Sequence, residues 1–174
     1  MIEQLYTVRN AKPYEFAEIG KLLVDVYSRL EGFPKEHEQP RYYKMLANVG
    51  ELVEKPETEL LVAVSSKDKI AGAVVYFNDM KYYSSGGMAV NEPNASGFRL
   101  LAVNPENRGK GIGKLLTNAC IIRAKHNKRG QVIIHTTLAM QPAWRMYESL
   151  GFKRSEALDF IQGDLSVFGL RLML

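Results

Sequence analysis

The run Asn107-Arg108-Gly109-Lys110-Gly111-Ile112-Gly113-Lys114 carries the densest chemical signal in the chain. Its three glycines alternate, and it lies between a run that reads as a strand ending at Val103 and one that reads as a helix. Glycine has no Cβ, so such a turn adopts backbone conformations closed to other residues and approaches a ligand closely. The first turn of the helix presents unpaired N–H groups and the positive end of its dipole, which together suit a phosphate. Arg108, Lys110 and Lys114 add attraction and charge-assisted hydrogen bonds. A tight turn whose glycines serve packing alone is the competing reading, and the flanking cations weigh against it. Two common phosphate motifs fail on residues. A P-loop counted from Gly109 needs a glycine where Lys114 stands, and so does the dinucleotide fingerprint, which also lacks an acid about 20 residues on.

These residues need elements to hold them. Leu5 to Arg9 reads as an opening strand, and Phe16, Ile19, Leu22, Leu23, Val26 and Leu30 recur at helical spacing between Pro13 and Gly32. A second helix is expected from about Pro40 to Gly50. Leu60–Val64 and Ile70–Phe77 are β-rich runs joined by a polar five-residue turn, hence a hairpin. Residues 81–97 read as a long loop, or as a strand end plus a loop, a length often tied to function. Phe98–Val103 is the clearest central strand. A helix from Gly111 to about Asn127 takes its apolar positions from Leu115, Leu116, Ala119, Ile122 and Ala124. Gln131–Thr136 reads as a buried strand, Gln141–Leu150 as a helix stopped by Gly151, and the end as two strands turning near Gln162-Gly163-Asp164. This order describes one mixed α/β domain over residues 1–174 with a largely antiparallel sheet.

With 174 residues, 46% hydrophobic and 24% charged, the chain has the composition of a single globular domain. The one cysteine, Cys120, excludes an intramolecular disulfide and a multi-cysteine metal site. His37, His126 and His135 lack metal-ligand spacing, so no metal is expected. No run approaches ~18 consecutive apolar residues, and Met1 to Tyr6 has no signal-peptide pattern, so a cytoplasmic protein without membrane contact is expected. The net charge of +4 is too small to imply nucleic-acid binding. The charge is nonetheless concentrated: Arg99, Arg108, Lys110, Lys114, Arg123, Lys125, Lys128 and Arg129 share their segment with one acid, Glu106.

Arg108-Gly109-Lys110-Gly111-Ile112-Gly113 resembles the Arg/Gln-x-x-Gly-x-Gly/Ala signature of the GNAT N-acetyltransferase superfamily. Leu101-Ala102-Val103-Asn104-Pro105 is similar to that family's fourth strand and its exit, and Ala143 to Phe152 to its Ala-x-x-Leu-Tyr-x-x-x-Gly-Phe helix and turn. The resemblance covers roughly residues 98–154. It implies a mixed, mostly antiparallel sheet of about seven strands, splayed between strands 4 and 5 and flanked by about four helices. It also implies acetyl transfer from acetyl-CoA to a primary amine by direct attack on the thioester, in a homodimer. By that resemblance, Arg108, Gly109, Lys110, Gly111, Ile112, Gly113 and Lys114 hold the pyrophosphate, and Leu101, Ala102 and Val103 run along the pantetheine arm. A backbone N–H near Leu101 or Val103 polarises the thioester, and Tyr147 is the general acid. Two departures stand out. Met140 replaces an asparagine that contacts the pantetheine arm, and no acid lies on the fourth strand, which leaves His135, Glu31 and Glu92 as candidate bases. The acceptor amine is not legible; Tyr27, Phe33, Tyr42 and Tyr43 are expected to border its pocket, and acids between Glu31 and Glu38 would suit a cationic one. Those departures also admit a non-catalytic acyl-CoA-binding domain.

Overall fold

The computed structural model describes residues 5–84 and 86–174. Met1 to Gln4, used above in the signal-peptide reading, and Ser85 of the 81–97 loop lie outside the described residues. The strands are β1 (Tyr6–Asn10), β2 (Thr58–Ser65), β3 (Ile70–Phe77), β4 (Ala95–Val103), β5 (Gln131–Thr136), β6 (Lys153–Arg154), β7 (Phe160–Gln162) and β8 (Leu165–Met173). The helices are α1 (Phe16–Ser28), α2 (Pro40–Ala47), α3 (Ile112–His126) and α4 (Gln141–Ser149). One sheet orders the strands β1-β2-β3-β4-β5-β8-β6, with β7 paired to β8. The β4–β5 pair is parallel and the other described pairs are antiparallel. The fold is therefore the expected mixed sheet with four helices, and the eighth strand is the two-residue β6.

Helices cover both faces. Val62, Val75 and Ile133 meet Ile19, Leu23 and Leu46 of α1 and α2 on one side. Leu61, Val74, Val132 and Ile134 meet Ile112, Leu116 and Cys120 of α3 on the other. Successive side chains in a strand alternate between faces. A strand covered on both sides must therefore be apolar throughout, and every residue of β3 is buried. Helix α3 corrects one expectation. Its buried row runs through Ile112, Leu116, Cys120, Ile121 and Ala124, whereas Ile122 is 64% exposed. An all-apolar Ile121-Ile122 pair does not say which isoleucine faces the sheet; the docking of α3 does.

That docking depends on Gly72 of β3. A Cβ there would stand 2.8 Å from the Ala102 carbonyl oxygen, 3.0 Å from Ile112 and 3.1 Å from Leu116. The missing side chain thus lets the first turn of α3 settle on the sheet beside β4. Gly72→Ala should overpack this contact, costing ~1–3 kcal/mol and lowering the thermal midpoint by roughly 2–12 °C. An unchanged midpoint in a thermal melt would show that α3 does not depend on this close approach.

Candidate active site

The glycine-rich turn connects the end of β4 to α3. Asn104 caps the turn after β4 by accepting from the Glu106 N–H at 3.1 Å, and Asn107 donates to the Tyr6 hydroxyl at 3.1 Å. Gly109 and Gly111 have φ of +77° and +78°, left-handed values that a side chain would strain, and both face open space. Gly113 is different: its backbone is helical and it has room for a Cβ. Ile112, 2% exposed, anchors the turn in the core. The six consecutive N–H groups from Gly109 to Lys114 donate to no acceptor among the described residues. Arg108, Lys110 and Lys114 are exposed. None of the three pairs with a carboxylate among the described residues.

The cationic run seen in the sequence splits here into two kinds of residue. Arg123 and Arg129, at the far end of α3 and beyond it, are bound to Glu59 and Glu57. Lys125 and Lys128 are exposed and, like the three cations of the glycine turn, pair with no carboxylate among the described residues.

Upstream of the turn, β4 and β5 pair only at Ala95↔Gln131, Ser96↔Val132 and Gly97↔Ile133. Beyond Gly97 the two strands part, and a fork opens between them. On the β3 side, β4 gains one residue between Arg99 and Ala102, a bulge. Leu100 sits there at φ +61°, unusual for a buried residue with a side chain. The Tyr27 hydroxyl of α1 donates to the Leu101 carbonyl at 3.0 Å, fixing the bulge from the helical side.

On the opposite face, Tyr147 of α4 is 6% exposed and its ring packs on Phe98 and Phe152 at 5.9 and 5.8 Å. Its hydroxyl has no hydrogen-bond partner among the described residues. Burial pushes the phenol well up from its usual value, with nearby Cys120 and Tyr83 adding to the shift. Cys120 is itself fully buried, and burial holds its thiol protonated. At the other arm of the fork, the buried hydroxyls of Thr136 and Thr137 also have no partner among the described residues. Such groups cost about 1–3 kcal/mol each when left unpaired. Neither threonine was singled out from sequence; two hydroxyl residues closing a buried strand were the available signal. Met140 follows them at the N-cap of α4, packed on the core. Trp144 packs against Phe168 with the rings tilted and their centroids 5.3 Å apart.

The candidate bases and pocket residues separate clearly. His135 has both ring nitrogens engaged, Nδ1 with the Tyr83 hydroxyl at 3.0 Å and Nε2 with the Leu158 carbonyl at 2.8 Å. Nε2 can only donate to a carbonyl, so in the neutral ring that burial favours Nδ1 accepts from the Tyr83 hydroxyl. Burial lowers the His135 pKa and Arg99 lowers it further, against the Leu158 carbonyl and Asp159. Glu92 pairs with Arg171, beside Gln131 at the start of β5 and away from the open end of the fork. Glu31, Glu36 and Glu38 are exposed. Tyr27, Phe33 and Tyr42 form a ring cluster with centroids 5.5 to 6.3 Å apart. Tyr43 is fully buried with its hydroxyl on the Pro34 carbonyl at 2.7 Å, which is a structural role.

The acetyltransferase (GNAT) family model matches residues 18–152, more than half of the chain. The chain belongs to the GNAT acetyltransferase family. A putative acetyltransferase from Acinetobacter baylyi ADP1 superposes with a TM-score of 0.72 at 16% identity, over 98% of this chain and 92% of that one. A putative acetyltransferase from Salmonella typhimurium, solved with its cofactor acetyl-CoA, gives 0.66 at 15% identity over 97% and 93%. At such identities the likeness establishes the fold. Human N-acetyltransferase 8B is 30% identical over 94 residues, 52% of this chain and 37% of that protein. The chain spans less than two fifths of the length of the curated relatives it matches. No helix among the described residues is long and apolar enough to cross a membrane.

The locked, neutral His135 has a consequence for stability. Its folded pKa lies below the unfolded value of ~6.5, so as pH falls through that value the unfolded chain gains a proton that the folded chain refuses. Chemical denaturation should therefore show stability falling between about pH 7 and pH 5, and His135→Gln should flatten that slope. An equal slope in the variant would mean that another group carries it.

Proposed function

We propose that this member of the GNAT acetyltransferase family transfers the acetyl group of acetyl-CoA to a primary amine. The observation that carries the reading is the row of six unpartnered N–H groups at Gly109–Lys114 beside three unpaired cations, at the exit of a strand whose neighbour has parted from it. A pyrophosphate suits that row, since each N–H lacks an acceptor and Arg108, Lys110 and Lys114 supply the compensating charge. Gly109 and Gly111 leave space where the ligand approaches. From there the pantetheine arm would follow the open edge of β4 along Val103, Ala102 and Leu101. The unpartnered Thr136 and Thr137 hydroxyls offer it hydrogen bonds that Met140 cannot.

The acceptor amine attacks the thioester carbonyl in its neutral form. A C–N bond forms and the C–S bond breaks; the proton shed by the nitrogen passes to water, and the proton that the thiolate takes from Tyr147 is restored to the phenol from water. A backbone N–H near Leu101 or Val103 stabilises the charge that develops on the carbonyl oxygen, a role that needs no particular side chain. Tyr147 protonates the departing thiolate. Its raised pKa keeps the phenol protonated at neutral pH. The same burial that disfavours the phenolate disfavours the thiolate, so proton donor and acceptor shift together. The names of the curated relatives, N-acetyltransferase 8B among them, support acetyl transfer to nitrogen.

Calorimetry and thiol release test this reading. Acetyl-CoA should bind near one per chain, and Arg108→Glu should weaken binding about tenfold, equivalent to ~1.4 kcal/mol. Tyr147→Phe should lower kcat by ~10²-fold or more while acetyl-CoA affinity is kept. Absence of binding up to about 1 mM, or ~−4 kcal/mol, overturns the donor site. Unaltered turnover in Tyr147→Phe removes it as the acid.

A further inference from the structure

Five arginines are half-buried among the described residues: Arg9, Arg99, Arg123, Arg129 and Arg171. Four of them pair with a carboxylate: Glu15, Glu59, Glu57 and Glu92 respectively. Arg99 does not. It leaves β4 two residues after Gly97, the last position paired with β5, and two before Leu101. Its guanidinium lies over the Tyr83 ring at 5.7 Å and donates through one terminal nitrogen to the Tyr83 and Ser84 carbonyls at 3.0 and 3.3 Å.

A second cation reaches the same place. Lys55 Nζ donates to the Tyr82 carbonyl at 3.5 Å and to the Ser84 hydroxyl at 3.2 Å. It too lacks a carboxylate partner among the described residues. Burial lowers the Lys55 pKa, and the charge of Arg99 lowers it further. Two half-buried cations that oppose each other, held only by neutral oxygens, form an arrangement that an anion would relieve.

The position of this pair matters as much as its charge. Arg99 also acts electrostatically on Tyr27, Tyr42, Tyr83 and His135, all on the α1–α2 face of the sheet. Tyr27 is the residue that holds the Leu101 carbonyl. Arg99 therefore sits at the foot of the fork on the side opposite α4 and Tyr147. Two residues of strand, about 7 Å, separate it from Leu101, a span that one small molecule and an arginine side chain bridge.

We propose that the acceptor is an amino carboxylic acid, with its carboxylate held by Arg99, assisted by Lys55, and its amine directed at the acetyl group near Leu101. This rests on the acetyl-transfer reading above and uses the same bond changes. A planar guanidinium presents a fork of donors that matches a carboxylate. The same charge repels an acceptor that carries only ammonium groups, so a polyamine is disfavoured.

The test uses thiol release at saturating acetyl-CoA with the twenty standard L-amino acids, their C-terminal amides and spermidine. At least one free amino acid should exceed its own amide and spermidine in kcat/KM by ~30-fold or more. Arg99→Met should raise KM for that amino acid by a similar factor without changing KM for acetyl-CoA, and Arg99→Lys should restore part of the loss. Amides or spermidine turned over as well as the free acids would overturn the carboxylate site and leave acetyl transfer standing. If nothing in the panel releases thiol, calorimetry of the CoA-loaded protein decides. Binding of a free amino acid, lost in Arg99→Met and not shown by the amide, upholds the site while acetyl transfer fails. No binding of any panel member overturns the proposal.

Discussion

Everything at the site follows from the parting of β4 from β5 after three paired residues. A strand edge released from its neighbour exposes N–H and C=O groups that need partners. The protein meets that requirement unevenly. Tyr27 takes the Leu101 carbonyl, the bulge at Leu100 turns the strand, and the remaining edge stays open to a ligand. The left-handed Leu100 is strain on the order of 1–2 kcal/mol, tolerated because β3 on one side and α1 on the other hold the strand where it is. Around the fork, one face carries Tyr147 and the other carries Tyr83, His135 and Arg99. In the proposed reaction the gap between the strands joins the acetyl-donor side to the acceptor side.

Charge is distributed with the same economy. Most half-buried arginines are neutralised by a neighbouring carboxylate, the arrangement expected when a charge is taken partly out of water. Arg108, Lys110 and Lys114 at the glycine turn have no carboxylate partner among the described residues, and neither have Arg99 and Lys55 at the foot of the fork, the two places where the proposed ligands would supply negative charge. The first group is exposed, where water screens it, and suits a mobile phosphate. The second is half-buried, where a lone charge is less well solvated and selectivity against the wrong ligand is correspondingly greater.

Much of the architecture was legible in the chain. Phe16, Ile19, Leu23 and their partners mark α1 because an amphipathic helix repeats its apolar residues every three or four positions. The all-apolar β3 marks a strand covered on both faces, and the β2–β3 hairpin and β5 fall where the residues place them. The glycine turn could be read because Gly109 and Gly111 are conformational requirements, which the chain records as residue type. The orientation of α3 was not readable. Ile121 and Ile122 are equally apolar, and the close approach of Ile112 and Leu116 to Gly72 of β3, distant in sequence, seats the helix.

Composition and local pattern thus determined the domain class, most elements, the anion-suited turn and the resemblance to an acetyltransferase family. Each of these depends on residues close together in sequence, where backbone preference and side-chain spacing act directly. The unpaired state of Arg99 and Lys55, the idle hydroxyls of Thr136 and Thr137, and the locked ring of His135 were decided only by the tertiary structure. In the chain Arg99 is one member of a basic run and His135 one histidine on a strand. Their roles depend on which groups from distant segments come within hydrogen-bonding or Coulomb range, and no local pattern encodes that. A charge becomes a site only when folding withholds its partner.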